Sequence, residues 1–352
     1  ELWNVAFTGP GNGHDYAWAA AVDGAGNAYV TGRSSNGSNS DFRTIKHAAA
    51  DGSVLWSVAF NGVGNGDDHA LDIAVDGSGN ALVTGESWNG VNWDQRTLKY
   101  AAADGSVLWS VAYNGPANGN DHAQALAVNG AGDAYVTGIS YSGANNDLRT
   151  LKYASADGSV LWSSGYNGPD NGNDHAHAIA VDSSGNALVT GISHNGANWD
   201  YRTVKLAATT GSLVWSGAYA GPAGGDDQAF SVAVDGAGNV HVTGYSSNGA
   251  NKDIRTFAYA AADGAVLFSV NEGPARGADD QPGSGDLLLA KRSSAVDAGG
   301  NVYVTGGSYN GINWDYRTIK YSPGGIVLWD VAHVGAGNAN DSSFSATMRL
   351  LT

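Results

Sequence analysis

Three sets of residues in this chain have the types and spacing to do chemistry. The first set occupies two positions of a recurring loop: Ser35, Trp88, Tyr141, His194, Ser247 and Tyr309 at one, and Ser40, Trp93, Asn146, Trp199, Lys252 and Trp314 at the other. Trp or Tyr beside Asn and Asp suits sugar recognition, because the ring covers an apolar C–H face while amides and carboxylates bond the hydroxyls. That makes Trp88, Trp93, Tyr141, His194, Trp199, Tyr309 and Trp314 candidate ligand contacts, although packing against the adjoining loop is the favoured expectation for them. The second set is a run of acids, Asp15, Asp68, Asp121, Asp174, Asp227 and Asp341, followed by Tyr16, His69, His122, His175, Gln228 and Ser342. Three imidazoles in successive units have the chemistry to ligate zinc, so His69, His122 and His175 are metal candidates. Equivalent residues of successive units should lie too far apart for this, and a hydrogen-bonded structural role is preferred. Calcium is disfavoured as well, since the Asp/Asn/Gly loops lack the spacing that gathers several oxygens around one ion. No cofactor is therefore expected. The third set is a D-x-R-T box at Asp41, Asp94, Asp147, Asp200, Asp253 and Asp315, with Lys two residues further on in five of six units. Its presence in every unit points to a structural Asp–Arg ion pair.

These sets recur because the chain is a repeat, and the repeat decides which elements position them. Trp3, Trp56, Trp109, Trp162, Trp215 and Phe268 are each 53 residues apart, whereas Trp329 follows after 61, an eight-residue insertion. Each unit holds four apolar segments, A to D, with no helical periodicity. Segment A, as in DHALDIAVD (68–76), alternates His69, Leu71, Ile73 and Val75 with Ala70, Asp72 and Ala74, as in a strand covered on both faces. Segments B (NALVTG), C (DQRTLKYAA) and D (VLWSVAYNG) are rich in β-branched and aromatic residues, and DGSGN and AADGS supply tight turns. Four strands joined by short turns make an antiparallel meander. One such sheet cannot bury both faces alone, so the units must stack, and the expected fold is an all-β propeller of four-stranded blades. An open β-solenoid is the competing arrangement.

The stretches IAVDGSGNALVTG, AVDGAGNAYVTG and LWSVAYNG resemble the bacterial β-propeller repeat family known as SBBP, a relative of the NHL-type propellers. That resemblance implies an extracellular or envelope protein, secreted or on the cell surface, and fixes no activity. The chain holds seven A-type and seven D-type segments but six of B and C. Residues 1–352 thus read as one propeller domain, most simply seven-bladed, whose incomplete closing blade takes its outer strand from the N-terminus and its inner strand from NDSSFSATMRLLT. A partner strand or a second copy would supply the missing hairpin, since open strand edges invite pairing. Six blades are the alternative.

In a meander the D-to-A and B-to-C loops share one end of the sheet, and there the units differ most. The other end carries near-identical Gly turns. The long-loop end is therefore the expected contact surface for a glycan or protein partner. A net charge of −16 without a basic cluster argues against nucleic acid. No apolar run approaches the roughly 20 residues of a membrane helix, and the absence of Cys excludes disulfides and thiolate chemistry. No nucleophile elbow, phosphate loop or paired-carboxylate motif breaks the repeat. A non-catalytic binding or structural scaffold is the expectation, with a metal-dependent lyase or hydrolase at the central channel as the enzyme alternative. The sixth unit breaks the symmetry through NEGPARGADDQPGSGDLLLAKRSSAVD, which brings Glu272, Arg276, Asp279, Asp280, Asp286, Lys291 and Arg292; it is expected to protrude from the long-loop end.

Overall fold

Each unit becomes a four-stranded antiparallel sheet in a computed structural model that describes residues 2–272, 280–281, 293–309, 312 and 314–333, with the side chains of 280, 281 and 309 excepted. The first blade holds β1 (Asp15–Val22), β2 (Ala28–Ser35), β3 (Ser40–His47) and β4 (Val54–Phe60), and the second β5 (Asp68–Val75), β6 (Ala81–Trp88), β7 (Trp93–Tyr100) and β8 (Val107–Tyr113). The pattern continues from β9 (Asp121–Val128) to β12 (Val160–Tyr166), from β13 (Asp174–Val181) to β16 (Leu213–Tyr219) and from β17 (Asp227–Val234) to β20 (Val266–Glu272). In the sixth sheet the innermost strand is split into β21 (Asp280–Gln281) and β22 (Ser294–Val296), both paired with β23 (Val302–Tyr309), which is followed by β24 (Trp314–Tyr321) and β25 (Val327–His333). The described residues contain no helix and form six sheets. They fall into two compact units, 1–166 and 167–352, each holding three blades. The expected C-terminal strand in 340–352, Asp341, and the Arg276, Asp279, Asp286, Lys291 and Arg292 side chains lie outside the described residues.

The expected alternation of segment A fails at one residue, for a physical reason. Ala70 faces Gly85 and Asp72 faces Thr84, so Leu71 is a β-bulge. The bulge shifts the alternation, and Ala70 joins Ile73 and Val75 in the apolar layer against the first blade. The same bulge recurs in β1, β9, β13 and β17. It explains the VTG tripeptide. The bulge pushes the carbonyl of Tyr16, His69, His122, His175 or Gln228 against the Gly of its own blade, where a Cβ would overlap the oxygen. The Thr of VTG lies directly opposite the Thr of D-x-R-T, and their hydroxyls bond in all six blades, at 2.9 Å in Thr84–Thr97 and 3.3 Å in Thr305–Thr318.

The Trp ladder binds blade to blade. Trp56 Nε1 donates to Ala102 O at 3.2 Å, Trp109 to Ser155 O at 3.1 Å and Trp215 to Ala261 O at 3.4 Å, each in the C-to-D turn of the next blade. The ring lies flat on that turn's Gly: a Cβ at Gly105 would strike Trp56, and one at Gly158 would strike Trp109. Lys99 adds to the seam, since Nζ pairs with Asp76 of its own A-to-B turn at 2.9 Å and donates to Ser155 O at 3.0 Å. Residues 2–9 form no strand, contrary to expectation, yet Trp3 occupies the ladder position, donating to Ala49 O at 3.2 Å and covering Gly52. The opposite end is bare. Trp329 in β25 is 40% exposed, against 6–7% for Trp56, Trp109, Trp162 and Trp215.

The D-x-R-T box differs from its expected role. No ion pair joins Asp41 to Arg43, Asp94 to Arg96 or Asp253 to Arg255. Instead Asp41, Asp94 and Asp253 accept bonds from Asn36, Asn89 and Asn248 of the B-to-C loop. The guanidiniums of Arg43, Arg96, Arg149 and Arg255 lie over Phe7, Phe60, Tyr113 and Tyr219, the last aromatics of the preceding D segment. In the sixth blade the Arg does find an acid, Arg317 to Asp330 at 2.6 Å.

The fifth blade carries Ala258 where the others carry Lys, and His241 meets the turn carboxylate instead, with Nε2 3.3 Å from Asp235. Burial outweighs the pull of Asp235 and holds the imidazole below its ordinary value of 6.5, so neutral His241 donates to Asp235. Because the folded value is depressed, the stabilisation is present above pH 6.5 and is lost as pH falls below it. Thermal unfolding midpoints of wild type and His241→Gln, measured between pH 7 and 5, should show the wild type losing more; parallel curves would contradict this assignment.

Candidate ligand-binding surface

The variable positions are not loop tips but the closing rungs of each B-to-C hairpin. Trp88 pairs with Trp93, Tyr141 with Asn146, His194 with Trp199 and Tyr309 with Trp314. The hairpin end is braced by the D-to-A loops on either side. In the second blade, Trp88 N donates to Asp67 O at 3.2 Å, Trp93 N to Asn120 Oδ1 at 3.1 Å and Asn92 Nδ2 to Gly119 O at 2.5 Å. The buried Asp68 locks the incoming loop by accepting from Gly62 N at 2.7 Å, and Asp121, Asp174 and Asp227 do the same for Gly115, Gly168 and Gly221. Burial raises the Asp68 carboxyl above its ordinary value, whereas Asp15, whose partners are equivalent but which lies at the uncovered first blade, is lowered by its bond to Ser34 and then to Gly9. The acid run thus fixes loops.

Trp88, Trp93, Tyr141, His194, Trp199 and Trp314 are all half-buried; the Tyr309 side chain lies outside the described residues. Two first-position rings rest on a loop Gly, Trp88 on Gly66 and Tyr141 on Gly119, whereas His194 meets Gly172 through its backbone and Cβ. The second-position indoles lie against the A-strand imidazole, Trp93 stacking on His69 with centroids 5.2 Å apart and Trp199 tilted 5.0 Å from His175. Within a hairpin the two rings meet edge to face, Trp88–Trp93 at 5.7 Å and His194–Trp199 at 5.2 Å. Each ring therefore spends part of its surface on the fold and keeps part for solvent.

Two residues that the sequence reading passed over organise the first unit. The residue after VTG reads Arg33, Glu86, Ile139, Ile192, Tyr245 and Gly307, so two adjacent blades place a charge where others place an apolar side chain or none. Glu86 stands between two imidazoles: Oε1 accepts from His69 Nδ1 at 2.8 Å, and Oε2 meets His122 Nδ1. Burial alone would raise this carboxyl, but the hydrogen bonds from His122 and His69 overturn that and hold it at about 2. Arg33 Nη1 lies 3.1 Å from His69 Nε2, and its guanidinium covers Tyr16 at 4.7 Å and Trp18 at 5.1 Å. Of the three metal candidates, His69 and His122 are thus joined through a carboxylate, and His175 lies in the second unit. Among the described residues no group of three His, Cys, Asp or Glu side chains is arranged to hold a metal ion. Nor is any helix among them long and apolar enough to cross a membrane.

Comparison with solved structures shows the fold. BamB from Moraxella catarrhalis is 12% identical with a TM-score of 0.51, over 92% of this chain and 79% of that one. Sqt1 from Saccharomyces cerevisiae is 10% identical with a TM-score of 0.56, over 91% and 76%. A quinohemoprotein alcohol dehydrogenase from Pseudomonas putida is 13% identical with a TM-score of 0.51, over 90% and 60%. At such identities the likeness concerns architecture alone, and the range from BamB to a dehydrogenase shows why fold does not dictate activity. No curated protein matches the sequence. Residues 217–250, which run from the end of one blade into the A and B strands of the next, match the profile of the SBBP beta-propeller repeat. With the 53-residue period and the six sheets, that match shows a β-propeller fold whose residues 217–250 carry the SBBP repeat signature.

Proposed function

We propose that the chain is a non-catalytic binding scaffold that takes a glycan through the long-loop ends of its blades. The observation that carries this reading is the hairpin-closing pair. The tight-turn end and the VTG and D-x-R-T boxes are nearly constant from unit to unit, while this pair varies among Trp, Tyr, His, Asn, Ser and Lys and keeps half-exposed aromatics beside loop Asn and Asp residues. Braced loops hold these rings in place before a ligand arrives, which lowers the cost of binding. Such a module suits a secreted or surface-exposed protein. A glycan array tests the proposal: Trp93→Ala or Trp199→Ala should weaken the bound glycan at least about tenfold, roughly 1.4 kcal/mol, without unfolding the chain. Absence of any glycan ligand, or unchanged binding by both variants, removes it.

A second reading concerns blade number. Trp3 in the ladder position of an absent blade and the bare face of β25 support sevenfold geometry, with a closing blade completed by a partner strand or a second copy. Sedimentation of the chain across concentrations tests the self-assembly form of it.

A further inference from the structure

The Arg33–His69–Glu86–His122 line has features that stability does not require. Arg33 is a guanidinium with no carboxylate at ion-pair distance among the described residues, in a chain of net charge −16. One N–H goes to His69, one face lies on Tyr16 and Trp18, and among the described residues the rest of its donor fork has no protein acceptor. Since arginine only donates, His69 Nε2 must accept, which places the His69 proton on Nδ1 and directs it at Glu86. The other Glu86 oxygen holds His122 Nδ1, leaving His122 Nε2 without a partner among the described residues. One end of the line is therefore a bidentate donor for an anion and the other a single oriented ring nitrogen. The His69 ring and the Glu86 carboxylate separate them, so they engage neighbouring groups of an extended ligand. Beside them stand Tyr16, 44% exposed, and the half-exposed Trp93.

We propose that this line forms a subsite for an acidic oligosaccharide, in which Arg33 takes a uronate carboxylate, His122 Nε2 bonds a hydroxyl of an adjoining sugar, and Tyr16 and Trp93 cover C–H faces. This rests on the glycan reading and names the substrate class for the first unit. Calorimetric titration of the full chain with a glucuronate hexamer, the matching neutral glucose hexamer and a glutamate hexapeptide tests it. The acidic sugar should bind at least tenfold more tightly than the neutral one. Arg33→Gln should abolish that preference, and Arg33→Lys should retain part of it, with unfolding midpoints confirming that both variants fold. Equal binding of the two sugars, or a preference that survives in Arg33→Gln, overturns the subsite while leaving the glycan scaffold standing. A peptide bound as tightly as the acidic sugar also overturns it. If neither sugar binds, the subsite is overturned, and the glycan array alone decides the scaffold reading.

Discussion

Gly138→Ala should cost more than about 3 kcal/mol of stability, although it adds a single methyl group. Gly138 is not held at a positive φ, so the loss is not a matter of backbone freedom. It comes from the bulge in β9, which seats the His122 carbonyl where the Cβ would go and places Gln124 N close beside it. Both obstacles are backbone, held by ladder bonds on each side, and cannot move aside as a flexible side chain would. Relief requires breaking the bulge, which would also displace His122 and the inner strand. Chemical denaturation of Gly138→Ala and of an open-turn control, Gly130→Ala, measures the effect. At Gly130 a Cβ meets nothing. Similar midpoints for the two variants would contradict the bulge account of the VTG motif.

Trp109→Ala should cost about 3–5 kcal/mol, in the range for a large buried aromatic, whereas Trp329→Ala in the isolated chain should cost under about 1.5 kcal/mol. Trp109 is 6% exposed, lies on Gly158, and donates to Ser155 O at 3.1 Å, so its removal opens a cavity and takes away one of that carbonyl's two donors, Lys99 Nζ being the other. Trp329 is 40% exposed and touches Tyr303 of its own blade, with centroids 6.0 Å apart. The repeat makes the two residues equivalent in sequence, and the presence of a following blade makes them unequal in energy. Equal losses would mean that something covers β25 in solution.

Much of this was legible in the residues. A 53-residue period, four apolar segments and Gly turns suffice for stacked four-stranded sheets, and the matched profile carries the same signature. The bulge was not legible, because alternation of His69, Leu71, Ile73 and Val75 reads smoothly until the pairing of Ala70 with Gly85 shows Leu71 to be extra. The partner of each D-x-R-T arginine was hidden for another reason: the ring it covers lies in the preceding D segment, as Phe60 does for Arg96. At the surface, attention to loops found the paired positions 88 and 93 but missed Arg33 and Glu86. Those two sit inside strands, next to an invariant tripeptide, and only a column-by-column comparison of the units exposes charge among Ile139, Ile192 and Tyr245.

The division of the blade into a constant end that serves the fold and a variable end that meets a ligand can be tested in one comparison. Glycan binding is read for the wild type, for Trp93→Ala/Trp199→Ala at the long-loop ends, and for Asp51→Ala/Asp104→Ala/Asp157→Ala, whose carboxylates cap exposed C-to-D turns through Ser53, Ser106 and Ser159. Binding lost in the double Trp variant and kept in the triple Asp variant, with both chains folded, is the predicted result. Binding that follows the Asp turns, or that ignores both ends, would contradict the account.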